Sequence, residues 1–289
     1  MKKYKKNWTT FDSLDLELFA VTEILQLKSL HYGYWLPEEK LTLENLQQAQ
    51  SRYTETLLEM LPSDIGVVLD VGAGIGDNTA ALCRCGYSVT ALSPDRNHIR
   101  YFENMPYPQL RFVSSKLEDY RESGSYDLVL MSESHGYFHM DTGFMQSRRL
   151  LRPGGYLLVS GMFRQDSDCK LKSSCDYYDF DTEKDYKVRA EKYGLHLMQR
   201  IDITDETLPT LEMAYSIYQE KLVPFLDMMD HYLKSSAGWK WKLLKIAMSK
   251  QFQELKTMKK MYDQRVNPDV FAERARYLRL LFRLSPAIN

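Results

Sequence analysis

Apolar residues recur at helical spacing over residues 13–30, where Leu14, Leu16, Leu18, Phe19, Val21, Ile24, Leu25 and Leu27 predict one amphipathic helix. Gly33 and Pro37 break that pattern within Leu30-His-Tyr-Gly-Tyr-Trp-Leu-Pro37. A second helix is predicted over 42–61, with Thr42 as its N-cap, Glu44 in its first turn and Pro62 as its stop. Beyond it the period changes. Short apolar runs predict strands at 66–71, 87–92, 111–114, 126–131, 156–161 and 195–203. Helical segments at 76–85, 95–105, 140–151 and 183–193 separate them, and Pro153-Gly-Gly155 reads as a turn. Strands alternating with helices predict a mostly parallel α/β sheet, doubly wound.

Near residue 206 the pattern changes again. Residues 208–275 are helical in character, with Trp239, Trp241, Leu244, Met248, Phe252, Leu255 and Met258 on one expected face and lysines elsewhere. The apolar run Tyr277–Phe282 predicts a final strand that returns to the sheet. The expected organisation is a helical leader at 1–62, a core at 63–205 and 276–289, and a helical cap at 206–275 inserted before the last strand.

Composition narrows the class. At 289 residues, 44% hydrophobic and 27% charged, the chain can bury a substantial core without staples. Cys83, Cys85, Cys169 and Cys175 lack the spacing of a structural zinc site, so free thiols in a reducing compartment are expected. No apolar signal run and no uncharged span of roughly 18 residues is found, which predicts a cytoplasmic protein. Net charge is −1, but residues 231–289 hold 13 Lys+Arg against 4 Asp+Glu, a surplus of +9. Such a segment suits an anionic substrate, an acidic carrier protein or a lipid surface; solvated helix faces are the plainer reading. A near-neutral total without a recognised binding module argues against a nucleic-acid partner. His31, His98, His139, His196 and His231 show no metal-ligand spacing and read as structural or surface residues. No metal is expected.

The strongest chemical signal is Val68-Leu-Asp-Val-Gly-Ala-Gly-Ile-Gly-Asp-Asn-Thr79, a buried strand entering a glycine turn that leaves as a helix. Gly72, Gly74 and Gly76 let the backbone turn sharply and approach a ligand closely. Dehydrogenases share such a turn. Asp70 inside the motif, the helical leader ahead of it and the later landmarks separate this chain from them. Over roughly residues 30–204 the sequence resembles the class I S-adenosylmethionine-dependent methyltransferase family, in its small-molecule, cyclopropane synthase-like branch. The resemblance implies a Rossmann-like core, S-adenosylmethionine as cofactor and S-adenosylhomocysteine as product. It sets Gly72, Ala73 and Gly74 along the methionine moiety, with Gly76 completing the turn. Asp70 then organises the turn and indirectly holds the amino group.

Further landmarks carry the same resemblance. At Val89-Thr-Ala-Leu-Ser-Pro-Asp95 the family usually supplies a carboxylate for the ribose. Alignment on Leu-Ser-Pro puts Ala91 there, which leaves ribose binding to Ser93 or a backbone group, while Asp95 suits a helix cap. At Lys116-Leu-Glu-Asp119, Lys116 replaces the usual adenine-contacting acid and the backbone at Leu117 remains. Tyr126–Phe138 resembles the fourth strand and its active-site loop. There Ser132 borders the cofactor, Glu133 matches a glutamate of the cyclopropane synthases and their relatives, and Tyr137 faces the substrate. His135 is the general-base candidate, since a neutral imidazole near pH 7 can take a proton; a packing histidine is the alternative. Leu30–Trp35 resembles a stretch that folds over the cofactor. It makes Tyr32 and Trp35 cofactor contacts and adds Tyr34 to the catalytic set, with an aromatic staple as the other reading.

The expected function is methyl transfer to a small, apolar or aromatic acceptor at oxygen or carbon, aligned by the protein and assisted by a base. Tyr215 and Tyr218 are the expected acceptor contacts in the cap, beside Phe225, Met228, Met229 and Tyr232; the cap's own core is the alternative. The acceptor suits an anionic or carrier-bound small molecule. Two other readings stay open. A lipid-modifying enzyme at a membrane surface follows from the basic amphipathic stretch Trp239–Lys260, and a non-catalytic cofactor-binding or regulatory protein follows from Ala91 and Lys116.

Overall fold

The computed structural model describes residues 18–122, 125–166, 180–247, 249, 253 and 267–286. Its strands are β1 Val67–Val71, β2 Ser88–Ser93, β3 Leu110–Ser114, β4 Tyr126–Ser132, β5 Leu151–Arg164, β6 Leu195–Asp202 and β7 Ala275–Leu284. They form one sheet in the order β3-β2-β1-β4-β5-β7-β6. Neighbours from β3 to β5 pair in parallel, whereas β7 lies antiparallel to both β5 and β6. The direction of strand succession reverses between β1 and β4, and ligands of open α/β sheets bind in the crevice at such a point.

The strands alternate side chains between two cores, because successive residues of a strand face opposite ways. Leu69, Val71, Val129, Met131, Leu157, Val159, Leu278, Leu280 and Phe282 pack into one core. Val68, Leu128, Leu130, Leu158, Tyr277 and Leu281 pack into the other. Burial on both faces accounts for the near-continuous apolar runs in these strands. The helices are α1 Leu43–Leu58, α2 Asp77–Arg84, α3 Ile99–Phe102, α4 Met140–Leu150, α5 Glu183–Lys192, α6 Thr204–Ile217, α7 Val223–Ala237, α8 Trp239–Ala247 and α9 Pro268–Arg274. Thr42 caps α1 as expected, its hydroxyl accepting from the Asn45 N–H. Thr182 and Asn267 cap α5 and α9 in the same way.

The structure departs from the sequence reading in several places. The leader is not a continuous helix: one wide turn spans Ala20–Ile24, and Gln26 takes φ 55°, which ends it. Residues 13–17 of that expected helix lie outside the described residues. The 95–105 segment divides into a 3-10 turn at Arg96–His98, capped by Asp95, and the short α3. Pro153-Gly-Gly155 is not a turn between elements. Leu151 pairs with Tyr126 and Tyr156 with Leu128, so the intervening residues bulge out of a single strand. Trp239 and Trp241 do not share a face: Trp239 is exposed, whereas Trp241 is buried and donates to Asp230 Oδ1. Met248, Phe252, Leu255 and Met258 lie outside the described residues, as do Cys169 and Cys175. Cys83 is buried and Cys85 exposed, both as free thiols.

Candidate active site

The glycine turn is built by conformation. Gly72, Gly74 and Gly76 all take positive φ, at 75°, 55° and 89°, a region that side chains with a Cβ rarely enter. The N–H groups of Gly72 and Ala73 both donate to Leu92 O, at 2.8 and 3.1 Å, which ties the turn to the end of β2. Asp70 is buried and accepts from Thr79 Oγ1 at 2.6 Å, linking β1 to α2. Burial raises its pKa to about 7.

The three glycines have different neighbours. A Cβ on Gly72 would strike Ser134, whose hydroxyl donates to Val71 O, so the loop after β4 lies directly on the turn. A Cβ on Gly74 would meet Leu30 of the leader at 3.4 Å. On its Cβ side Gly76 is covered by Phe102 and Met105, so there its lack of a side chain serves packing as well as conformation.

The leader folds over this turn. His31 Nε2 lies 2.5 Å from Asp77 Oδ2 in the first turn of α2, and its Nδ1–H donates to Tyr32 O at 2.7 Å. Burial alone would lower the His31 pKa, but the charge and hydrogen bond of Asp77, with the charge of Glu133, raise it on balance. The Asp77 carboxyl is held below its usual range: burial opposes this, but the charge and hydrogen bond of His31, with hydrogen bonds from Ser29 and the Asn78 backbone, together outweigh it. His31 also stacks on Tyr53 of α1, at 4.3 Å between ring centroids.

Glu133 stands at the carboxyl end of β4 with φ 56°, a conformation costly for a residue that is not glycine. Its N–H donates to Ser160 O at 2.7 Å. Its Oε1 accepts from the Tyr32 N–H at 2.9 Å and from the Tyr277 hydroxyl at 2.5 Å. The Tyr53 hydroxyl extends the network to Tyr277, Ser160 and Ser132, at 3.0, 2.7 and 3.1 Å. Burial raises the Glu133 pKa against the lowering effects of His31 and Tyr277. Arg279 donates to Tyr53 O and Thr56 Oγ1, with its guanidinium over the Tyr53 ring.

The other expected residues divide. Tyr32 packs its ring against Tyr277 at 5.3 Å, within the Glu133 network. Trp35 is a staple and not a wall of the crevice: it is buried among Leu27, Leu46, Ala49 and Met213, and its Nε1–H donates to Thr210 of α6. Tyr34 turns toward Glu206 and Arg279. His135 is buried, stacked on Phe163, and donates from Nε2 to Met162 O at 3.0 Å. Burial lowers its pKa to about 4, opposed only by that backbone bond. Ala91 is paired with Asp70 inside β2 and packed beside Ala73 and Phe102, two residues before the strand ends at Ser93. Ser93 ends the strand, its hydroxyl bonded to His98 Nδ1 and accepting from the Asp95 N–H. The Leu117 side chain belongs to the core, which leaves only its backbone for a ligand. Tyr137 is exposed, and Tyr215 and Tyr218 lie 6.4 Å apart. Sequence reasoning missed Asp77, Tyr53 and Tyr277 and read His31 as structural or surface. The Asp77 signal was present, since it directly follows the last glycine of the motif.

The site suits a cationic cofactor. The carboxyl groups of Asp77 and Glu133 both act on His31 beside the glycine turn, where Gly72 is exposed. The family model for a methyltransferase domain matches residues 68–155, from β1 into β5. With the sheet order and the glycine turn, this defines the class: residues 68–155 hold a methyltransferase domain of Rossmann-like fold, and the protein is an S-adenosylmethionine-dependent methyltransferase. Among similar sequences, the methyltransferase GfsG of Streptomyces halstedii is 29% identical over 211 residues, covering 63% of this chain and 71% of the relative. The geranyl diphosphate C-methyltransferase of Streptomyces coelicolor A3(2), solved with Mg2+, geranyl-S-thiolodiphosphate and S-adenosylhomocysteine, superposes with TM-score 0.66 at 14% identity, covering 96% of this chain and 95% of that one. The StiE O-methyltransferase superposes with TM-score 0.63 at 16% identity, covering 90% and 88%. Among the described residues, no three His, Cys, Asp or Glu side chains are grouped to hold a metal.

Proposed function

We propose that this enzyme methylates a small, apolar or aromatic acceptor at oxygen or carbon, and that Glu133 accepts the proton the acceptor loses. The observation that carries this reading is the half-buried Glu133 carboxylate, clamped by the Tyr32 N–H and the Tyr277 hydroxyl beside the glycine turn. When bound, S-adenosylmethionine supplies an electrophilic methyl group on its sulfonium. The chain's own work is to align the acceptor, exclude water and take a proton. The leader is fastened to α6, since Gly33 N–H and Trp35 Nε1–H both donate to Thr210 Oγ1. A carboxylate whose pKa is raised by burial accepts a proton better than one in water.

Glu133 fits the base role better than His135. The His135 imidazole is neutral at pH 7, but a pKa of about 4 makes it a poor proton acceptor, and one of its nitrogens is committed to Met162 O. Ser93 and the Leu117 backbone are assigned to the ribose and adenine, and Gly72, Ala73, Gly74 and Ser132 to the methionine moiety. Tyr137, Tyr215 and Tyr218 are assigned to the acceptor, with residues 206–275 as the substrate cap between a leader at 1–62 and a core at 63–205 and 276–289. An anionic or carrier-bound acceptor and a cytoplasmic setting complete the reading. The test is transfer of label from methyl-labelled S-adenosylmethionine to a panel of phenols, enols and prenyl diphosphates. Labelled product that disappears with Glu133→Gln, while cofactor binding persists, supports the reading. Undiminished transfer by Glu133→Gln overturns the assignment of the base.

A further inference from the structure

We infer that α8 forms a docking surface for an anionic phospholipid bilayer. In α8, Trp239, Leu243 and Ile246 stand at positions i, i+4 and i+7, one stripe of a helix, and are 67%, 55% and 72% exposed. The opposite side of α8 is anchored, because Trp241 is buried and its Nε1–H donates to Asp230 Oδ1 of α7 at 3.1 Å. Helix α7 buries none of its residues. Phe225, Met228, Met229 and Tyr232 repeat the same spacing along it and are exposed. The α7 residues lie on the side of that helix away from Asp230, and hence away from α8, so the docking stripe is that of α8, with a tryptophan at its end.

The charge selects the occupant. The sequence of α8 contains Lys240, Lys242 and Lys245 and no acidic residue, within a segment, 231–289, of net charge +9. A basic amphipathic helix lies in the plane of a bilayer, with its apolar stripe at the acyl boundary and its lysines at anionic headgroups. Tryptophan favours that boundary. A second copy of the chain would set two such basic segments against each other, and like charges across an interface are unfavourable. An acidic carrier protein would answer the lysines but not the apolar stripe exposed on α8. Among the described residues no helix is long and apolar enough to cross a membrane, so the contact is with the surface. The inference does not depend on which acceptor is methylated.

The test is sedimentation of the full-length protein with vesicles of phosphatidylglycerol and phosphatidylcholine in equal parts, against vesicles of phosphatidylcholine alone. The expected result is binding to the anionic vesicles, weakened by salt, with a blue shift of tryptophan emission. The triple variant Trp239→Ser, Leu243→Ser, Ile246→Ser should bind about tenfold more weakly or less, with S-adenosylmethionine affinity measured by calorimetry unchanged. If the triple variant misfolds, Lys240→Glu, at an exposed position, should weaken binding alone. Failure to bind anionic vesicles, or equal binding by the variants, overturns the inference. So does a protein dimer that the stripe substitutions dissolve, or selective binding to an acyl carrier protein without vesicle binding.

Discussion

His31 Nε2 and Asp77 Oδ2 are 2.5 Å apart in the protein interior, an ion pair that fastens the leader to the helix leaving the glycine turn. Breaking a buried pair leaves one charge uncompensated, at a cost of about 3 kcal/mol or more. His31→Gln and Asp77→Asn should each lose about that much in urea denaturation. The pH window follows from the two shifts. The raised His31 pKa means that its stabilisation is full below the ordinary 6.5 and fades as pH rises through the raised value. The lowered Asp77 pKa means that its contribution is full above the ordinary 3.8 and fades as pH falls through the lowered value. Calorimetric affinity for S-adenosylmethionine should therefore decline on the alkaline side, and this decline should vanish in His31→Gln.

Gly72 is the least replaceable residue of the turn. An added Cβ would meet both a positive φ of 75° and the side chain of Ser134. Gly72→Ala should lose about 1–3 kcal/mol from conformation, with the collision in addition. Gly86→Ala is the control: φ is 91°, yet nothing lies within 4 Å of the new atom. It should cost only about 1 kcal/mol and leave cofactor affinity intact, whereas Gly72→Ala should abolish detectable cofactor binding by calorimetry.

Tyr277, with burial and the charge of His31, sets the titration of Glu133. Its hydrogen bond lowers a carboxyl pKa that burial has raised. A base must be ionised, so the rate falls as pH drops through that pKa. Tyr277→Phe should move the acid limb of the pH–rate profile to higher pH, and Glu133→Gln should remove the limb together with about 100-fold or more of kcat. An unmoved limb in Tyr277→Phe would separate the tyrosine from the base.

Burial keeps His135 neutral. Its folded pKa is lowered from 6.5 to about 4, so between these values the unfolded chain takes up a proton that the folded protein refuses. Stability should fall by about 3 kcal/mol as pH drops across that window. His135→Phe should lose stability at pH 7, by about 1–3 kcal/mol for the unsatisfied Met162 carbonyl. It should also show a shallower decline toward pH 4 than the parent, both measured by urea denaturation.

Much of the fold was legible because its signals are local. The strand–helix alternation, the Thr42 cap and the glycine turn all lie within short windows, and the final apolar run became β7. Signals that depend on partners were misread. Trp239 and Trp241 fitted one helical face, but only Trp239 is exposed, because Trp241 packs onto α7 and donates to Asp230. Trp35 carried the right composition for a crevice wall, yet its neighbours made it a staple between the leader and α6.

The sequence by itself determined the α/β alternation, the position of the nucleotide-type turn and the need for glycine at Gly72, since backbone sterics and hydrophobic periodicity act over a few residues. The tertiary structure alone decided that Tyr32, Tyr53, Glu133, Ser160 and Tyr277 meet. Their bonds join residues 101 to 224 positions apart, across the leader, α1, β4, β5 and β7. A hydrogen bond requires donor and acceptor within a few tenths of an ångström, and that placement is fixed only when sheet register and helix packing bring distant segments together.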